Sequence, residues 1–199
     1  MPKIVDHDKR REDIAHVACQ VIARHGFEQA TVVRIARAAG YTTGMVAHYF
    51  ESKQQIVIAA LRLILLRMEQ RLTRQSRAGN ASLLTVLSEA LAIDAQRFAE
   101  CAFWTAFWGQ VPVDPMLKRI NASVHKEYLR LYERCFAEYW PEWLRWPQSV
   151  RDQVLRSVTT TINGLTASAV TSRADWPKVK QVEQLRLQLD LLKRWASEQ

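Results

Sequence analysis

The stretch TVVRIARAAGYTTGMVAHYFESK, Thr31 to Lys53, reads as two short helices joined by a tight turn and followed by the start of a third. Thr31 is a suitable N-cap, and Val32, Ile35, Ala36 and Ala39 recur at i, i+3, i+4 and i+7, one apolar stripe. Gly40 stops that helix, because glycine takes the left-handed conformation of a helix end without a side-chain clash. Thr42 restarts the chain as a helix by offering its hydroxyl to the new unpaired N–H groups. The turn is then about three residues long, as in a helix-turn-helix. Tyr41 before the cap and Val46 at the fourth helical position have the spacing of a hydrophobic staple, which fixes the exit angle of the second helix. Val46 and Phe50 face inward. Thr42, Thr43, Gly44, Met45, Ala47, His48 and Tyr49 are left on or near the outward side, and a helix so lightly decorated fits a DNA major groove about 12 Å wide.

Ser52, with Gln55 three residues on, has the pattern of a capping box, and Lys53 takes the first position of the following helix. A helix N-terminus that carries a lysine is a phosphate site.

Ile35, Ala36, Ala39, Gly40, Gly44, His48, Tyr49, Phe50 and Lys53, in one ungapped run, resemble the DNA-binding motif of the TetR family of bacterial transcriptional regulators. The resemblance implies that Thr43, Met45, Ala47 and His48 face bases, while Thr31, Tyr49 and Lys53 hold phosphates. Ala47 departs from the tyrosine or serine frequent in the family, which reduces base reading there to methyl contact with thymine.

Few glycines and prolines, six of each in 199 residues, and no alternating strand pattern favour an all-α fold. A helix-turn-helix head over residues 1–52 and a helical ligand-binding and dimerisation body over residues 53–199 account for the length. The net charge of +8 suits an anionic partner, with double-stranded DNA and a membrane surface as the competing choices. No apolar run reaches spanning length and no secretory segment opens the chain, so a cytoplasmic protein that does not enter membranes is expected. Cys19, Cys101 and Cys135 lack metal or redox spacing and read as reduced structural thiols; neither metal nor cofactor is expected.

Before the motif, Met1 to Asp8 reads as a polar arm with a basic edge from Lys3, Lys9, Arg10 and Arg11, and a helix then runs to about His25, where Gly26 ends it. After it, Ser52 to Gly79 contains little to break a helix, and about 25 residues make a rod on the order of 38 Å long. Its arginines, Arg62, Arg67, Arg71, Arg74 and Arg77, read mostly as a solvated flank. Asn80 to Ile93 reads as a shorter helix, and Asp94 to Val111 as one dense in aromatics. Phe103 with Phe107, and Trp104 with Trp108, are i,i+4 pairs that fill a core or line a pocket. Such walls attract cations, including quaternary ammonium groups. Asp94, Glu100 and Asp114 are the candidate counter-charges.

The segment AFWGQVPVDPMLKRI, Ala106 to Ile120, resembles the body of the BetI-like, choline-responsive subgroup of the same family, as does the head through Thr43, Gly44, His48, Tyr49 and Phe50. Beyond Leu131 the likeness weakens, and Trp140 to Pro147 matches no feature of it. The resemblance implies a small effector of the quaternary ammonium type.

In the last two helices, Leu155, Val158, Ile162, Leu165 and Ala169 recur at steps of three and four, the seam of a helix that packs along a partner. Leu185, Leu189 and Leu192 form one stripe of the final helix, and Leu187 and Leu191 another. Two apolar sides need two surfaces to bury against. One is the body and the other a second subunit, and Leu155, Val158, Ile162, Leu165, Ala169, Leu185, Leu189 and Leu192 are expected at the homodimer interface. The reading is a ligand-responsive repressor that binds a palindromic operator as a homodimer. An activator or efflux regulator with a different ligand is the alternative within the class, and an enzyme the alternative outside it. No nucleophile motif, glycine-rich phosphate loop or metal spacing supports the enzyme.

Overall fold

The computed structural model describes residues 7–77 and 81–199, and no strand occurs among the described residues. Its α-helices are α1 (His7–Gln29), α2 (Val32–Ala38), α3 (Thr43–Tyr49), α4 (Lys53–Arg77), α5 (Leu83–Leu87), α6 (Ala95–Gln110), α7 (Pro115–Tyr139), α8 (Gln148–Thr171) and α9 (Lys178–Ser197), with 3-10 turns at Ser88–Ala90 and Trp143–Arg145.

The all-α expectation holds, with local corrections. Helix α1 already begins at His7, inside the stretch read as an arm; residues 1–6, with Lys3, lie outside the described residues, as do Gly79 and Asn80. Gly26 interrupts α1 as expected, at φ 78° and ψ 169°, a conformation that only glycine adopts readily, but a last short helical stretch follows to Gln29. The helix expected up to Ile93 is a single turn and a 3-10 turn. Gln181 of α9, buried at 2% exposure, explains the early exit. Its Oε1 accepts from the Ala92 N–H at 3.1 Å and its Nε2 donates to the Trp176 carbonyl at 2.8 Å, so the backbone at Ala92 is held by a side chain. A buried amide saturated in this way repays its desolvation.

Two hydrophobic cores share the rod. Ile56, Val57, Ala60, Leu61 and Ile64 of α4 pack into a core built from Ile14 and Ile22 of α1, Ile35, Val46 and Phe50, and that core also takes Phe103 and Phe107 of α6 and Leu117 and Val124 of α7. One and two turns further on, Met68 and Leu72 enter a second core with α5, the end of α7, α8 and α9. The segment Trp140 to Pro147 closes that end. Trp143 is fully buried, stacked on Phe136 at 4.7 Å and edge-on to Trp146, while Trp140 stands edge-on to Phe136 and Trp146.

The seam of the last helices is corrected by this packing. Leu155, Val158, Ile162, Leu165, Ala169, Leu185, Leu189 and Leu192 are each at most 8% exposed inside one protomer. Steps of three and four identify a buried stripe without saying which molecule buries it, and here α8 and α9 bury it between themselves, α6 and the body. The apolar residues left outside on α9 are Val179, Leu187, Leu191 and Trp195.

Candidate DNA-binding face and ligand cavity

The turn between α2 and α3 is built as its sequence suggests. The Thr31 hydroxyl accepts from the Arg34 N–H at 3.2 Å, and the Thr42 hydroxyl from the Met45 N–H at 3.1 Å. Gly40 stands at φ 71°; its N–H reaches the Arg37 carbonyl and that of Tyr41 the Ala36 carbonyl, the paired bonds of a Schellman end. Val46 and Phe50 are buried, and Thr42, Thr43, Gly44, Met45, Ala47 and His48 are exposed along one side of α3. Tyr49 is not on that open side. It is 9% exposed, with its ring 5.3 Å from His48 and 5.4 Å from His7.

Around α3 stand cations that the arm reading only hinted at. Arg10 sets Nη1 3.6 Å from the Met45 sulfur and lies over the Tyr41 ring, and Arg11 donates to the Tyr49 carbonyl and lies over Phe50. The Ser52 hydroxyl caps α4 by accepting from the Gln55 N–H at 3.3 Å, but the return arm of the box goes to the Glu51 N–H. Lys53 donates its ammonium to the Phe27 carbonyl and rests 4.4 Å from the Phe27 ring, and burial lowers its pKa.

In the body, a cavity of about 320 Å³ lies between α4, α6, α7 and α8. Of the four aromatics expected there, Trp104 and Trp108 line it, while Phe103 and Phe107 are fully buried in the core shared with the head, their rings nearly parallel at 6.4 Å. The i,i+4 pairs point to different sides of α6, so one pair fills the core and the other faces the cavity. The wall continues onto α7 through Tyr128, 5.4 Å from Trp104, and Tyr132, 6.1 Å further. Burial pushes both tyrosine hydroxyls well above their ordinary range, so they are neutral. The Trp104 indole N–H is buried beside the Tyr128 hydroxyl. Tyr128 and Tyr132 were missed in the sequence, although their i,i+4 spacing is the same signal that α6 carries.

Of the three candidate counter-charges, Glu100 lines the cavity at 4% exposure, joined by Glu89, which the sequence did not suggest. Asp94 and Asp114 are instead the N-caps of α6 and α7, accepting from the N–H groups of Arg97 and of Met116 and Leu117. Arg71 leaves the solvated flank to bond Glu100 in a two-pronged pair, Nη2 to Oε2 at 2.7 Å and Nη1 to Oε1 at 3.3 Å. Its Nε also lies 3.4 Å from Glu89. Arg97 approaches Glu89 at 3.2 Å and Asp94 at 2.9 Å. The site therefore has aromatic walls, two buried carboxylates and two guanidiniums that already engage them. Asn121, His125, Thr159, Asn163 and Thr166 complete its polar lining.

Comparison with known proteins assigns a family to both parts of the chain. Residues 14–60 match the family of bacterial regulatory proteins called tetR, and residues 79–193 match the C-terminal family of BetI-type transcriptional repressors. The chain is 32% identical over 143 residues to the transcriptional regulator BetI of Burkholderia cenocepacia, covering 70% of this chain and 72% of that one. It is 30% identical over 110 residues to the regulator PksA of Bacillus subtilis, and there spans 54% of each chain. Among solved structures, a transcriptional regulator from Rhodococcus superposes with a TM-score of 0.79 at 23% identity, covering 94% of this chain and 97% of its own. A regulator from Saccharomonospora viridis solved in complex with choline superposes with a TM-score of 0.74 at 16% identity, covering 90% and 94%. With a head and a body that each match and an all-α fold that carries both, the chain belongs to the TetR family of bacterial transcriptional regulators, with a C-terminal domain of the BetI repressor type.

Proposed function

We propose that this regulator is a cytoplasmic repressor that occupies a palindromic operator as a homodimer and leaves it when a small organic cation of the choline class enters the body of each protomer. Residues 1–52 read DNA and residues 53–199 sense and dimerise. Thr43, Met45, Ala47 and His48 meet bases, while Thr31, Thr42, Gly44, Tyr49 and Lys53 position the backbone or the turn. The second subunit covers the outer side of α9 at Leu187, Leu191 and Trp195, against the exposed small residues of α8 such as Gly164. This face replaces the buried stripes as the dimer surface.

One observation carries the effector class: Trp104, Trp108, Tyr128 and Tyr132 line a cavity into which the buried carboxylates of Glu89 and Glu100 also face. A ring face and a carboxylate both attract positive charge, and a desolvated cation over an aromatic wall gains about 2 kcal/mol. The volume lies at the low end for ligand pockets, which suits a molecule of a few heavy atoms. The structural neighbour crystallised with choline supports the same class.

Calorimetry tests the reading with choline, betaine aldehyde and 3,3-dimethylbutanol, the uncharged isostere of choline. The two cations bind and the isostere does not, and replacing Trp104 or Tyr128 with alanine weakens choline roughly tenfold or more. Equal binding of charged and uncharged forms overturns the cationic effector while leaving the family assignment in place.

A further inference from the structure

We infer that Glu100 is the carboxylate that receives the cationic head of the effector, and that Arg71 turns from Glu100 to Glu89 when it does so, which passes occupancy of the cavity to α4. The inference rests on the cationic-effector reading and goes beyond it by naming the groups that exchange partners.

The charged groups form one chain, Glu100–Arg71–Glu89–Arg97–Asp94, in which three carboxylates share two guanidiniums. Within this chain the carboxylates outnumber the guanidiniums by one, and Arg74 lines the outer groove beside Asp94 and Arg97, not the cavity. The next arginine back along α4, Arg67, does not make up the difference, since its Nη1 is turned 2.9 Å from His16 Nδ1 on α1. Glu100 and Glu89 are buried, at 4% and 6% exposure, and both face the aromatic cavity, so a third cation arriving there completes the set.

The arrangement also lets the exchange proceed without stranding a charge. Stripping one partner from a buried ion pair is costly because the other is left uncompensated. Arg71 already lies 3.4 Å from Glu89 as well as 2.7 Å from Glu100, so it keeps a carboxylate after it gives one up. Glu100 in turn keeps the Gln96 amide at 3.0 Å and gains the ligand. A neutral or anionic molecule brings no positive charge to Glu100 in place of the guanidinium, which makes the exchange selective for charge as well as size.

Arg71 is the group through which the effect leaves the cavity. It stands on α4, 18 residues after Lys53, or about 27 Å along a helix whose first turn abuts the DNA-reading motif. Glu100 is on α6 and Glu89 on the 3-10 turn, so changing partner moves the α4 attachment from one element to another. A ligand shifts an equilibrium only by its differential affinity for the two states, and here that difference is the competition for Glu100.

The test uses the full-length chain, choline chloride, and a duplex operator recovered from a random-sequence library. Choline affinity is read by calorimetry and operator release by fluorescence anisotropy. Glu100→Gln lowers choline affinity by at least about tenfold. Arg71→Gln still binds choline, because the competitor is gone, but choline no longer releases its operator. Glu89→Gln weakens choline as well, since Arg71 then has no second carboxylate; it stands in for Glu100→Gln should circular dichroism show that variant unfolded. Unchanged choline affinity in Glu100→Gln and Glu89→Gln, or operator release by choline in Arg71→Gln at the wild-type concentration, overturns the exchange alone. Failure of the unmodified protein to bind choline, betaine aldehyde or tetramethylammonium removes the cationic effector and this inference with it.

Discussion

Arg67 of α4 holds its Nη1 2.9 Å from Nδ1 of His16 in α1, a contact in which the guanidinium donates and the imidazole must accept. The joint between the first helix and the rod therefore requires a neutral histidine. Burial, and then the charge of Arg67, lower the His16 pKa below its ordinary 6.5, against weaker opposition from Asp13, Glu100 and Glu12. A folded pKa below the unfolded one contributes stability that is complete above the unfolded value and is lost as pH falls through the folded value. The melting temperature of the wild type is expected to fall more steeply from pH 7 to pH 5 than that of His16→Gln, as followed by scanning calorimetry. Parallel profiles would mean that the contact does not govern the joint.

On the DNA side, contacts to phosphate and contacts to bases separate by their response to salt and sequence. Lys53→Ala is expected to weaken binding evenly across operator variants and to lower the slope of log affinity against log salt by about 1, once the phosphate has drawn the ammonium from Phe27. Thr43→Ala and His48→Ala, on the exposed side of α3, change which variants are preferred. Titrations in which Lys53→Ala alters preference at an unchanged salt slope would reverse these roles.

Assembly distinguishes the two stripes of α9. Leu187 and Leu191 are each 52% exposed, so Leu187→Glu with Leu191→Glu is expected to give a folded monomer in sedimentation at micromolar concentration, with helical content retained. Leu189→Glu, at a position 5% exposed, instead destabilises the protomer itself by several kcal/mol because an unpaired carboxylate enters the core. A dimer that survives the double substitution would place the interface elsewhere.

The buried thiols make the fold sensitive to alkali. Burial pushes Cys19 and Cys101 up to about 12 and Cys135 up to about 11 from an ordinary 9.0. Raised folded values stabilise the thiol form, so this contribution is whole below about pH 9 and declines between pH 9 and 12 as the unfolded chain alone loses protons. Urea midpoints are expected to drop between pH 8 and pH 10, and less so in Cys19→Ala. Thiol reagents at pH 8 are expected to label the native protein far more slowly than the denatured one, and equal labelling rates would contradict the burial.

Much of this was legible because short-range chemistry decided it. The caps Thr31 and Thr42, the left-handed Gly40 and the helix between Asp94 and Val111 follow from local rules, and the structure keeps them. What escaped depends on direction and partner. Period alone marked Leu155, Ile162 and Leu165 as a seam but not as an internal one, and it grouped Phe103 and Phe107 with Trp104 although α6 turns them into another core. Glu89, Gln181, Tyr128 and Tyr132 find their places through contacts tens of residues away, such as the amide of Gln181 at Ala92. Nothing in their neighbourhood along the chain announces that.

The core that Phe103, Phe107, Leu117 and Val124 share with Ile14, Ile22 and Phe50 bears on how such regulators acquire new targets. A DNA reader that could be cut out at residue 52 would be an exchangeable cassette, free to be joined to any sensor. Here the cut passes through a packed interior, and a transplanted reader arrives with its own apolar seat facing foreign side chains. A working hybrid has to bring the matching sides of α6 and α7 along with the motif. Chimeras joined at residue 52 alone lose stability before they lose specificity, and altering the target by point changes on the outer side of α3 is the shorter route.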